Sequence, residues 1–142
     1  MQIKEKNNLV ILRMFPKENV FEGLVKALKE CKVETAVFVS GIGQLKDVHL
    51  GYFKEKGDYQ EQVFDKPLEL LSLNGFASLN QEQSEYDFHL HATLSEIEKR
   101  AVGGHLISAV VSVTLEIALL KSEITIKRRV EEQFGLKGLF LE

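Results

Sequence analysis

The sequence predicts an α+β fold, made mainly of an antiparallel β-sheet flanked by one main helix. Only one segment repeats its apolar residues at the three- and four-residue spacing of a helix, and from Glu34 onward short β-type runs alternate with glycine- and proline-containing breaks. The 142 residues, 44% of them hydrophobic and 27% charged, have the size and balance of one globular domain spanning residues 1–142.

The first two predicted elements are a strand and the helix. The strand, Asn8–Phe15, ends at Pro16 because proline has no amide hydrogen to donate to a sheet. The helix is predicted over Asn19–Lys32, where Asn19 with Glu22 three positions on forms an N-cap arrangement. We expect its apolar stripe to pack on the sheet.

The rest of the chain is predicted to be β-structure. Turns are expected at Gly41 and Gly43, at Gly57, and at Lys66–Pro67, because glycine adopts positive φ and proline cannot donate to a ladder. The predicted strands are Thr35–Ser40, Asp47–Lys54, Tyr59–Phe64, Leu68–Leu79, Tyr86–Leu94, Leu106–Leu120, Glu123–Val130 and Leu136–Leu141.

Two of these strands are apolar at both alternating positions, in the segments Leu68–Leu73 and Ala109–Leu120. This pattern is typical of strands that are covered on both faces. One helix cannot cover a sheet of this size, so we expect a second subunit to bury the remainder in a closed cyclic oligomer.

The net charge and the search for targeting segments limit the partners and the location that the sequence predicts. The net charge of −3 provides no overall positive field for binding nucleic acid. Cys31 has no second cysteine with which to form a disulfide, and the polar segment Met1–Asn8 lacks the apolar core of an export signal, so a cytoplasmic location is expected. The apolar run Ile107–Leu120 is shorter than the ~20 residues of a membrane span, and no membrane partner is expected.

Three of the four histidines, His89, His91 and His105, lie in one short region. In a strand, residues two apart point to the same face, so His89 and His91 present their imidazoles side by side. Gly103 and Gly104 permit a sharp turn and a close backbone approach through which His105 completes a three-nitrogen face. The pattern predicts one divalent transition metal per chain, with zinc favoured over nickel, iron or manganese, and a fourth position open to water or substrate. The alternative is a solvated strand face without metal.

Carboxylates near these strands could serve the same site. Alternation places Asp87 on the face of His89 and His91, whereas the orientation of Glu69 and Glu116 is left open. One of the three could act as a base or orient a ligand. No catalytic residue and no reaction is assigned.

Other motifs favour structural roles. His49 has no metal-ligating partner nearby in sequence and is expected to have a structural or interface role. Gly41–Gly43 lacks the third glycine and the following helix of a dinucleotide-binding loop, so no organic cofactor is predicted. The basic run Lys127–Arg129 is followed by Glu131 and Glu132, which favours a solvated or inter-subunit salt-bridged face.

Five segments in order, Ser40–Gly43, Leu50–Phe53, Pro67–Gly75, His89–His91 and Gly103–Leu106, resemble the PPC domain family, also known as DUF296 or PD1-like DNA-binding proteins. The resemblance extends over nearly the whole chain. It implies an antiparallel sheet flanked by helix and assembly as a homotrimer.

The resemblance also bears on function. Stand-alone bacterial and archaeal members of the family are expected to bind a metal at the positions of His89, His91 and His105. Plant members carry AT-hooks, Arg-Gly-Arg-Pro arms that enter the DNA minor groove, and this sequence contains no such arm. Two functions therefore stay open: a metal-binding trimer that binds or acts on a small molecule, or a DNA- or protein-interaction module whose metal is structural.

Overall fold

The computed structural model describes residues 1–80 and 82–142. Within them the fold is mostly antiparallel β-sheet with a single helix, as predicted. The elements in chain order are β1 Gln2–Lys6, β2 Leu9–Met14, α1 Val20–Glu30, β3 Thr35–Glu55, β4 Asp58–Phe64, β5 Leu68–Asn80, β6 Glu85–Ser95, β7 Ala101–Ser122, β8 Ile126–Glu131 and β9 Leu136–Leu141.

The main sheet closes on itself. Its seven strands follow the order β1-β2-β7-β6-β5-β3-β4, and β7 pairs additionally with β3. Strands β3, β5, β6 and β7 thereby form a ring in which each strand pairs with two of the others, all antiparallel. The inward side chains of the ring form the core, and the outward ones are available for binding. β8 and β9 form a separate two-stranded sheet.

The helix begins where the capping residue predicts. The side chain of Asn19 accepts a hydrogen bond from the Glu22 amide at 3.1 Å, which satisfies one of the free N–H groups of the first turn. The buried residues of α1 are Val20, Leu24, Ala27 and Leu28, and they join the core of the sheet. In the described part of the chain, no helix has the length and apolar character needed to cross a membrane.

The turn predicted at Gly41 and Gly43 is wrong, because both residues lie inside the 21-residue strand β3. Gly43 has φ +150°, and a Cβ there would collide with the carbonyl oxygen of Thr114 on β7. The glycine therefore permits two strands to approach closely rather than the chain to turn. In contrast, Gly57 and Lys66–Pro67 lie between strands, as predicted.

Strand β7 is also longer than predicted, and it contains Gly103 and Gly104. A Cβ on Gly103 would lie 2.8 Å from the Ala92 carbonyl oxygen, and a Cβ on Gly104 would lie 2.7 Å from the Gly51 carbonyl oxygen. The expected sharp turn before His105 is therefore wrong, whereas the expected close backbone approach is confirmed.

One strand was not predicted. β1 is formed by the polar segment Gln2–Lys6, which pairs with β2 at the edge of the sheet. Four of its five residues are exposed, so the strand lacks the alternation of apolar and polar residues by which strands are recognised.

Candidate metal centre

Strand pairing brings the three predicted histidines together. His91 on β6 lies directly opposite His105 on β7, and His89 is two residues before His91 on the same face of β6. One ligand nitrogen from each imidazole lies within 4.8 Å of the other two. The three imidazoles converge as the sequence predicted. The register between β6 and β7 brings them together, and no turn is involved.

The spacing of the nitrogens fits a bound metal ion. A tetrahedral ion with nitrogen ligands at ~2.0–2.1 Å would hold neighbouring nitrogens about 3.3 Å apart. The Nε2 atoms of His89 and His91 lie 3.2 Å apart. The ring centroids of the three pairs are separated by 5.1, 5.5 and 5.7 Å. Three imidazoles in this arrangement provide three ligands and leave a fourth position for a molecule from outside the chain.

The protonation of the cluster favours metal binding. Burial lowers the pKa of His105, with smaller contributions in the same direction from His89 and His91. Burial also lowers the pKa of His89, followed by the positive charge of Arg128 and by His91. Neutral imidazoles have free lone pairs at neutral pH, so fewer protons must be displaced when a cation binds. His89 and His91 are exposed, so the centre is accessible.

A glycine keeps the neighbouring strand close to the first histidine. Gly75 on β5 lies opposite Leu90 and has φ +136°. A Cβ at this position would collide with the carbonyl oxygen of His89. Glycine at position 75 therefore permits the β5–β6 pairing that fixes the backbone of His89 and His91.

None of the three candidate carboxylates joins the cluster, which in the described residues contains only the histidines. Asp87 lies two residues before His89 but forms an ion pair with Lys137 at 2.5 Å. Glu69 accepts a hydrogen bond from Gln44 at 2.7 Å. Glu116 lies in the part of β7 that pairs with β2, well beyond the histidine end of that strand.

The fourth histidine lies outside the cluster. His49 Nε2 is 3.0 Å from Glu61 Oε2 on the neighbouring strand β4. This contact agrees with the structural role expected from the sequence.

The basic run on β8 is only partly solvated. Lys127 and Arg129 are exposed and form ion pairs with Glu142 at 2.7 and 3.0 Å. Arg128 between them is half-buried, and two of its guanidinium nitrogens are inaccessible to solvent. Sequence analysis missed this residue, although alternation along β8 could have shown that Arg128 shares a face with the buried Ile126.

Comparison with known proteins reveals one family and several similar structures. The family model for the Plants and Prokaryotes Conserved (PCC) domain matches residues 1–123. No protein with a curated description matches the chain. A "putative dna binding protein" from Bacteroides thetaiotaomicron is 25% identical, with a TM-score of 0.88 over 98% of this chain and 96% of that one.

Two archaeal structures are also similar. A plant- and prokaryote-conserved (PPC) protein from Pyrococcus horikoshii is 27% identical, with a TM-score of 0.79 over 96% of this chain and 93% of that one. A protein described as metal-containing, from Archaeoglobus fulgidus, is 27% identical, with a TM-score of 0.81 over 99% of each chain.

Proposed function

The chain belongs to the Plants and Prokaryotes Conserved (PCC) domain family, and from this premise we propose that it is a homotrimeric metal-binding protein. Each chain holds one divalent transition metal ion, with zinc favoured, on His89, His91 and His105. A small molecule binds, or is acted on, at the fourth coordination position. The observation that supports this most directly is the approach of three imidazole nitrogens to within 4.8 Å of one another.

The chemistry available at such a centre follows from its ligands. A zinc ion bound by three neutral imidazoles can lower the pKa of a bound water to about 7 or polarise a carbonyl group. The chain itself positions the ligands through the β6–β7 register, and burial lowers the pKa of His89 and of His105. The Asp87 carboxylate is paired with Lys137 and is therefore not available as a base.

Elemental analysis of protein purified without an affinity tag tests the metal proposal. We expect about one transition-metal ion per chain, removal by dialysis against a chelator, and uptake of zinc afterwards. A melting temperature that hardly changes on metal removal supports a ligand-binding role, whereas a large decrease supports a structural metal. Protein that takes up no metal after incubation with zinc contradicts the proposal.

The trimer is supported by an apolar patch on the outside of the closed sheet. The patch consists of Val39, Ile42, Leu71 and Val113, whose exposed fractions are 56%, 49%, 52% and 57%. Val39 and Ile42 lie on β3, Leu71 lies on β5 and Val113 lies on β7, and β3 pairs with both of the other strands. Clustered exposed apolar side chains of this kind mark an interface. Light scattering at micromolar concentration is expected to give a particle of three 16.1 kDa chains, and a monomer contradicts the assignment.

DNA binding is the second candidate function, because a 25% identical structure is named as a "putative dna binding protein". It would make the metal structural and would require the basic run of β8 to contact phosphates. Lys127 and Arg129 are already paired with Glu142, and the net charge is −3. The surface of this chain therefore supports the candidate less than the histidine cluster supports metal binding.

A further inference from the structure

The β8–β9 hairpin lies beside the histidine cluster and contacts the main sheet on two sides of it. Near the start of β9, Lys137 pairs with Asp87, two residues before the first histidine of the cluster. At the hairpin turn, Phe134 packs edge to face on Phe53 with ring centroids 6.3 Å apart. Phe53 is two residues beyond the point where β3 pairs with His105. The hairpin is therefore placed to form one wall of the metal centre.

Arg128 is a cationic side chain of this hairpin and shares a face of β8 with the buried Ile126. Its Nε and Nη2 atoms are buried, and neither has a hydrogen-bond partner in the part of the chain that the structure describes. Burial lowers the pKa of the guanidinium, and Asp87 acts in the opposite direction. The positive charge is close enough to His89 to contribute to the lowering of its pKa.

Two buried guanidinium nitrogens without acceptors are costly, because their N–H groups lose water and gain no hydrogen bond in return. Asp87, whose charge acts on this guanidinium, does not satisfy it, because the Asp87 carboxylate is paired with Lys137 at 2.5 Å. A group left in this state beside an accessible site indicates that the missing hydrogen-bond acceptor comes from a ligand.

We propose that Arg128 and the histidine-bound metal together form a site for a small oxyanion, a carboxylate or a phosphate. One oxygen of the anion binds the open metal position, and the others accept hydrogen bonds from Nε and Nη2 of Arg128. The planar guanidinium donates two parallel N–H groups, a geometry that matches both kinds of anion. The inference rests on the proposed metal site and names the ligand class that this site takes.

Calorimetric titration of the metal-loaded protein with acetate and with inorganic phosphate, at constant ionic strength, tests the inference. We expect at least one of the two anions to bind, and the tighter one identifies the ligand class. Arg128→Gln is expected to weaken this binding about 10- to 100-fold, the range for a lost charge-assisted pair. Failure of both anions to bind the parent protein, or equal affinity in the variant, overturns the inference.

Arg129→Gln is the matched control. It removes the same charge from the adjacent residue, whose side chain is paired with Glu142 at 3.0 Å and points away from the cluster by strand alternation. Its anion affinity should stay within about twofold of the parent, because remote surface charges contribute little at constant ionic strength. Equal weakening by both variants would indicate a general charge effect and overturn the site.

Two further measurements separate anion binding by Arg128 from a structural role of Arg128 and from the contribution of the metal. Arg128→Met should melt at or above the parent temperature, because it removes two buried N–H nitrogens that have no hydrogen-bond acceptor. Loss of stability or of the trimer in this variant would instead assign Arg128 a structural or inter-subunit partner and overturn the inference. Repeating the titrations on metal-free protein measures the contribution of the metal. Anion binding that depends on Arg128, in a chain that takes up no metal, contradicts the metal centre and the metal's part in the anion site, and leaves only the contact with Arg128. Metal uptake with anion binding that does not depend on Arg128 contradicts the oxyanion site alone.

Discussion

Replacing His91 by alanine is expected to abolish stoichiometric metal binding. His91 provides one of three nitrogens and lies 3.2 Å from the nitrogen of His89. Two remaining imidazoles cannot hold a tetrahedral ion against water with comparable affinity. Metal affinity should fall by more than the roughly 10- to 100-fold that follows from the loss of a residue that only orients a ligand. Metal content and competition with a chromophoric chelator measure it.

His49→Ala is the control for this variant. It removes the same side chain from β3, where the imidazole is paired with Glu61 and lies outside the cluster. We expect the control to keep the metal content of the parent. His91 is exposed, so His91→Ala should retain the fold, which circular dichroism checks. Unchanged metal content in His91→Ala, or equal loss in both variants, contradicts the assignment of the centre.

Replacing Gly75 by alanine should produce the largest loss of stability among simple substitutions near the site. Its φ of +136° is one that residues with a Cβ rarely adopt, and the new Cβ would collide with the His89 carbonyl oxygen. Backbone strain and overpacking should together cost about 3–5 kcal/mol of the free energy of unfolding. Urea denaturation at equilibrium measures this loss, and metal affinity should fall as well, because β6 must shift at His89.

Gly57→Ala separates the cost of backbone strain from the cost of the collision with β6. Gly57 also has a positive φ, +85°, but none of the described atoms lies within 4 Å of the position its Cβ would occupy. The control should therefore lose only the cost of the left-handed conformation, about 1–2 kcal/mol. Equal losses in the two variants would show that the contact with β6 is unimportant.

The amino-acid sequence was sufficient for two features of the site and the helix that depend on local geometry. Alternation along one strand placed His89 and His91 on the same face, and the side chain of Asn19 marked the start of α1. Both follow from positions that lie within a few residues of one another, where the chain geometry leaves little choice. The ordered motifs also indicated the family that the comparison shows.

The tertiary structure decided what depends on pairing between distant segments. The register of β6 against β7 places His105 opposite His91. Gly43 and Gly104 permit close contacts between strands at positions where the sequence predicted turns. The sequence predicted a solvated or inter-subunit salt-bridged face for the basic run, whereas two guanidinium nitrogens of Arg128 are buried. Strand register and the covering of a sheet face arise from contacts far apart along the chain, and local patterns do not encode these contacts.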